Sequence, residues 1–200
     1  MSPGFPTGAY AYSHGLEWAV ERGDVTDADA LRDWLADILL HGSGRNDAIL
    51  LRHAHRGGEL SALNDLAAAL APSRERRTET LDQGTAFIAA AAAWDPPQLP
   101  DRVAYPVAVG ALAARHGIDE DATTAAYIQA FATNLISAAV RLVPLGQSTG
   151  LRVLADLEPI ILEVAAGSRS ATLDDLGGCA FRADLAAVHH ETQYTRLFRS

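Results

Sequence analysis

Apolar residues recur along the chain at helical spacing, and the interruptions fall at glycine, proline and small capping residues. Leu31, Trp34, Leu35, Ile38 and Leu39 stand at i, i+3, i+4, i+7 and i+8, one face of an α-helix turned to a core. Thr26 and Asp29 have nearly the spacing of a capping box ahead of it, and Gly42 is placed to end it in the left-handed position past the last turn. A short helix over 17–22, closed by Gly23, is expected before it. After it the pattern predicts helices over 45–56, stopped by Gly57 and Gly58, and over 60–70, stopped before Pro72. Ser73 opens a fifth helix whose first turns are charged and whose later part is an alanine run to Trp94. Alanine faces let helices approach closely, so this helix is expected at the centre.

Residues 95–100 (Asp-Pro-Pro-Gln-Leu-Pro) form the clearest loop, and composition does not change across it, which makes it a loop within one domain. Pro106 suits the first turn of a helix running to His116 and closed by Gly117. Residues 119–124 cap the longest helix, in which Tyr127, Phe131, Leu135, Ala138 and Leu142 keep one face until Pro144. A further helix over 148–165 is expected to turn Leu151, Leu154, Ile161 and Leu162 inward, with a kink or break at Pro159, which lacks a ladder N–H. Short helices over 173–176 and 183–189 complete the pattern. The sum is roughly ten helices and no strand, since Pro106 spoils the best strand candidate, residues 103–109. The expected fold is all-α, one compact domain over residues 1–200, with 191–200 as a partner-binding tail.

Composition narrows the chemistry. The net charge is −9 and every one of the sixteen basic residues is arginine. Without lysine there is no phosphate-binding P-loop lysine and no Schiff-base amine. An acidic chain without a basic block is a poor nucleic-acid ligand. No apolar run approaches the ~20 residues of a membrane span, and Met1, Pro3, Gly4 and Pro6 do not begin a signal peptide. Neither nucleic acid nor membrane is therefore an expected partner. The single Cys179 forms no internal disulfide, which fits a cytoplasmic setting.

Candidate metal or catalytic groups are thin. His53 and His55, two apart on a helix, point in divergent directions and read as exposed. His189 and His190 also diverge and lack nearby partners to close a site, so they are only weak candidates for a nickel contact. Ser13 reads as a helix cap rather than a nucleophile for His14, Cys179 as a buried or idle thiol, and Glu17 with Glu21 as a solvated acidic pair. Asn134 interrupts an apolar stripe and reads as a satisfied polar group in the core or at an interface. The C-terminal stretch differs. Tyr194, Leu197 and Phe198 lie beside Arg196 and Arg199, the residue types that anchor interfaces, and so short an end cannot bury them unaided. It must dock on its own domain or order on a partner.

Three stretches carry a resemblance. Residues 4–17 (Gly-Phe-Pro-Thr-Gly-Ala-Tyr-Ala-Tyr-Ser-His-Gly-Leu-Glu), residues 141–147 (Arg-Leu-Val-Pro-Leu-Gly-Gln) and residues 190–200 (His-Glu-Thr-Gln-Tyr-Thr-Arg-Leu-Phe-Arg-Ser) resemble, in order, the opening, middle and C-terminal signatures of the UreF family of urease accessory proteins. The resemblance implies an all-α, homodimeric, non-catalytic scaffold. It would bind UreD (UreH), recruit the GTPase UreG and serve nickel insertion into apo-urease, the nickel being handled by the complex and not held tightly by this chain. By the same resemblance Tyr194, Arg196, Leu197, Phe198, Arg199 and Ser200 would order against UreD. Arg141 and Gln147, with Tyr10, Tyr12 and Glu17, would shape the core or the partner faces. The alternative from the residues alone is a small all-α metal-dependent hydrolase, its histidines and carboxylates meeting only in the fold.

Overall fold

The computed structural model describes residues 5–200, so Gly4, the first residue of the opening motif, lies outside the described residues, as do Met1 and Pro3. Nine α-helices and three 3-10 turns are present among them, and no strand. The helices are α1 (Leu16–Glu21), α2 (Ala28–His41), α3 (Ser43–His55), α4 (Leu60–Ala69), α5 (Arg74–Ala90), α6 (Tyr105–Arg115), α7 (Glu120–Leu142), α8 (Gln147–Gly167) and α9 (Phe181–His190). One continuous apolar core draws on all of them.

The stripe on α2 is buried as its spacing requires: Leu31, Trp34, Leu35, Ile38 and Leu39 all face inward. Its cap is shifted by one residue. Asp27, not Thr26, accepts the Ala30 N–H at 2.9 Å, and Thr26 donates to Asp27 instead. Gly42 ends α2 and begins α3 with φ −112°, outside the left-handed region. Glycine is needed there for room, because a Cβ would stand 2.8 Å from the Ala180 Cβ. Ser73 and Asp119 cap α5 and α7 as their positions suggest, accepting the N–H of Arg76 at 3.1 Å and Ala122 at 2.8 Å.

The central helix is α3, not α5. It packs on α2, α4, α6, α7 and α8. Close approach comes from glycines: a Cβ on Gly110 of α6 would lie 2.2 Å from the Leu51 carbonyl oxygen of α3. A Cβ on Gly84 of α5 would lie 2.0 Å from that of Val103. The alanine run that suggested a central α5 leaves Ala89, Ala92 and Ala93 exposed and ends in a 3-10 turn.

Helix α8 corrects two expectations. It runs unbroken through Pro159. Both Pro159 and Ala155, whose carbonyl loses its ladder partner, are on the exposed side, so the missing bond falls where the helix faces solvent. Its buried face is Gly150, Val153, Leu157, Ile161 and Val164, turned against α2 and α7. Leu151 and Leu162 face solvent, at 67% and 55% exposure.

At the far end of α3, Arg52 is 1% exposed and fully used. It donates to Ser168 Oγ at 2.8 Å, to Asp121 at 2.7 Å and to the Ala165 carbonyl at 2.7 Å, and it pairs with Glu120. Arg56 and Arg169 approach the same two acids at 2.6 Å and 2.9 Å. This clasp joins the C-terminal ends of α3 and α8 to the start of α7.

Candidate functional site

The three signature stretches, distant in sequence, meet at one end of the bundle. After α9 the chain turns back and lies along the opening motif. Ser13 N–H donates to the Ser200 carbonyl at 2.7 Å, and Arg199 N–H donates to the Ala11 carbonyl at 2.8 Å. The Ser13 hydroxyl also reaches the Ser200 carbonyl. Gly15, with φ 76°, caps α1, and no other residue fits: a Cβ would come within 2.4 Å of the Ala187 amide nitrogen on α9. Ser13 is thus not the formal cap, although its oxygen accepts the Glu17 N–H at 3.3 Å.

Glu17 is the hinge of the arrangement. It is buried, so the reading of a solvated Glu17–Glu21 pair fails for this residue. Its carboxylate accepts the backbone N–H of Leu197 at 2.7 Å and of Phe198 at 2.9 Å, and it faces His190 Nε2 at 3.2 Å. The other ring nitrogen of His190 faces Glu75 at 2.7 Å, and Arg196 donates to Glu75 at 2.6 Å. Adjacent histidines do diverge: His189 leaves this cluster and stacks on Trp18, centroids 4.8 Å apart. Glu191 closes the tail on α5 by accepting the Arg74 N–H at 2.7 Å.

Glu79, one turn along α5, collects His14 Nε2 at 2.7 Å, Gln83 at 2.7 Å and the Ser200 hydroxyl at 2.8 Å, and pairs with Arg76. Burial opposes its ionisation, but Arg76 and His14 outweigh that and hold its carboxyl at about 2. Burial, with Arg76 nearby, pushes His14 down, so the ring stays neutral and donates from Nε2, leaving Nδ1 without a partner. Beside them Asp47 is pushed up to about 6 by burial, with the Tyr127 hydroxyl donating at 2.7 Å in opposition. Tyr105 is pushed up to about 12 by burial. Histidine and acids therefore do meet inside the fold, but the cavity they line is about 30 Å³, the room of a water molecule rather than a substrate. Among the described residues no group of three or more His, Cys, Asp or Glu side chains is arranged to hold a metal ion.

The docked tail divides the candidate residues into two faces. Phe198 is buried beneath the Arg141 guanidinium, 4.3 Å from its ring centroid, and Ser200 is buried against Glu79. Arg141 also donates to the Tyr10 carbonyl at 2.6 Å, which ties the middle signature to the opening one. Tyr12 is buried with them. Facing outward are Tyr194, Arg196, Leu197, Arg199 and, on the opening motif, Tyr10. Gln147 is exposed at the start of α8 and belongs to neither group.

The UreF family model matches residues 25–158. The chain belongs to the UreF family. Curated relatives extend the match across all of it, including the opening and C-terminal signatures on either side of those residues. The chain is 53% identical to a urease accessory protein UreF of a Methylobacterium species, over 100% of this chain and 86% of the relative. It is 53% identical to that of a Bradyrhizobium species, with 100% and 89% covered, and 55% identical to that of Cereibacter sphaeroides, with 100% and 95% covered.

Other candidates resolve differently. His53 and His55 are half-buried rather than exposed, facing the carbonyls of Ala171 at 3.2 Å and Ile118 at 2.8 Å. Cys179 is exposed, and its contact with Asp184 pushes the thiol up, away from nucleophilic use. Asn134 is half-buried on the wall of a surface groove. Sequence reasoning passed over Glu75, Arg76 and Glu79 as the charged turns of a helix, and His14 as a bystander. The available signal was the i, i+4 acid pair Glu75–Glu79 on a helix whose N-terminus follows a proline.

Proposed function

We propose that this chain is a non-catalytic scaffold of urease maturation, acting as a homodimer that binds UreD (UreH) and through it recruits the GTPase UreG for nickel insertion into apo-urease. In this reading nickel passes through the complex and is not held by this chain. The observation that carries it is the docked tail. Glu17 takes both amides of Leu197 and Phe198, so the backbone is pinned while the side chain of Leu197 is 76% exposed and that of Tyr194 fully so. Large apolar side chains held out on a pinned segment are preorganised for a partner, because little entropy remains to be lost on binding.

The test is co-purification with UreD and UreG from the same source. Replacing Tyr194 and Leu197 together by alanine leaves the intramolecular contacts in place and is expected to abolish UreD capture, as is deletion of residues 192–200. Undiminished capture by both variants removes the tail from the scaffold.

A further inference from the structure

Helix α8 is apolar on its outer face as well as its inner one. Leu151, Ala155, Pro159, Leu162 and Ala166, at i, i+4, i+8, i+11 and i+15, are all exposed, on the side opposite the buried Val153, Leu157, Ile161 and Val164. At helical pitch the five fall in one stripe about 80° wide and about 22 Å long. Packing on α2 and α7 accounts for the inner face only. A helix that met nothing but solvent on its outer side would carry polar residues there.

The stripe has the relief of a saddle. Leu151 and Leu162 stand about 16 Å apart along the axis, with only Ala155 and Pro159 between them on the stripe. A helix with its side chains is about 10–12 Å across, so one helix fits over α8 between the two leucines. Because Pro159 has no N–H, the Ala155 carbonyl on this side has no partner within the helix and is open to a donor from outside it. Charge selects that donor. Asp156, Glu158 and Glu163 border the stripe, are exposed, and form no ion pair among the described residues. Arg32 of α2, near enough to feel Asp156, pairs with Asp29 and Asp33, and Arg152 donates to the Thr149 hydroxyl at 3.0 Å.

We propose that the outer face of α8 docks a cationic amphipathic helix of another protein, its apolar side laid across the saddle and its Lys or Arg side chains meeting Asp156, Glu158 and Glu163. The same acids repel an anionic lipid surface, and they disfavour a second copy of a chain whose net charge is −9. The C-terminal tail is seated on α1 and α5, so this surface adds a separate contact to the scaffold and does not extend the one made by the tail.

The test titrates the full chain against a leucine–lysine peptide of about 18 residues with all its leucines on one helical face, and against a twin with glutamate for lysine, read by fluorescence anisotropy. The lysine peptide is expected to bind saturably, one per chain, and less tightly in high salt, and the glutamate twin not to bind. Leu151→Arg and Leu162→Arg are each expected to weaken binding about 30-fold, and Asp156→Lys with Glu163→Lys about 10-fold. Circular dichroism should be unchanged, because all four positions face solvent, and the milder Leu162→Ser should still weaken binding. Tyr194→Ala with Leu197→Ala is expected to bind the peptide as wild type does, so this surface and the tail stand or fall separately. Absence of binding, or binding that every α8 variant leaves intact, overturns the proposal. So does wild-type adhesion to phosphatidylglycerol vesicles that Leu162→Arg abolishes, which gives the stripe to a membrane. A smaller sedimentation coefficient for Leu162→Arg than for wild type gives it to a second copy and overturns the proposal too.

Discussion

Two clusters of buried charge hold this molecule together, and they are built on opposite plans. At one end Arg52 places a permanent cation at the junction of three helices and spends its fork on two acids, a hydroxyl and a carbonyl. At the other end Glu17 and Glu79 face imidazole rings, and much of what the carboxylates accept is backbone or side-chain N–H and O–H from the tail. The first cluster joins helix ends and presents little that can leave. The second joins a helix pair to a ten-residue segment that has few other anchors. A guanidinium clasp is a fastening of the fold, whereas the Glu17–Glu79 cluster is a seat for a segment that, in the proposed function, is offered to a partner.

The contrast is broken most severely at Arg52. Arg52→Ala strands Glu120 and Asp121 with fewer partners and opens a buried hole. Truncating a large, fully buried side chain to alanine costs about 3–5 kcal/mol, so global unfolding is expected to shift down by roughly 6–20 °C. Arg52→Lys is expected to recover only a small part, because a point charge cannot reach the four acceptors. Differential scanning calorimetry decides it, and a shift under about 2 °C removes the clasp from the account of stability.

Glu17→Gln is expected to act locally. The amide cannot accept from both Leu197 and Phe198 while facing His190, so hydrogen exchange at those two amides should rise about 10–100-fold, the worth of charge-assisted bonds. The melting temperature should move far less than for Arg52→Ala. Equal protection of the tail in both proteins would mean that Phe198 burial alone seats it.

An effect confined to one side of the pH range concerns the acid beside the seat. Asp47 is raised to about 6, above its unfolded value, so whatever stability its neutral form contributes is present at low pH and lost as pH rises through about 6. Asp47→Asn keeps an acceptor for the Tyr127 hydroxyl and removes that loss. It is expected to match wild type at pH 4 and to be more stable at pH 8 by up to about 3 kcal/mol, the worth of a two-unit shift. His14 runs the other way: its lowered value means that stability falls as pH drops below 6.5, because the unfolded ring takes a proton there that the buried ring resists. Denaturant titration of Asp47→Asn between pH 4 and 8 separates the two, and a stability difference that does not change with pH would show that Asp47 does not titrate there.

Much of the architecture could be read from residue order because helix formation answers to neighbours three and four apart. The α2 stripe, the Ser73 and Asp119 caps, and the stop at Gly117 are all local statements, and each is found in place. The phase of α8 was misjudged for a related reason. Its apolar residues exceed one face, and only contact with α2 and α7 selects Val153, Leu157 and Ile161 over Leu151 and Leu162. The alanine run of α5 misled because small size permits close packing without demanding it. Gly84 and Gly110, where a Cβ has no space, mark the true contacts.

The candidate site shows the same division. The signatures at residues 4–17, 141–147 and 190–200 were visible, and so was the unusual mix of aromatic, apolar and arginine residues in the tail, since composition and order are enough to display them. Sequence alone thus determined the helical class, most boundaries, the exclusions that follow from an arginine-only basic set, and the family resemblance. The tertiary structure decided that Glu17 and His190 are buried, that Phe198 and Ser200 face inward while Tyr194 and Leu197 face out, and that Glu75 and Glu79 belong to the seat. Burial and pairing are made by contacts between residues as far apart as Glu17 and Phe198. No local pattern encodes which way a charged side chain turns until the packing of the whole bundle has removed the water from one side of it.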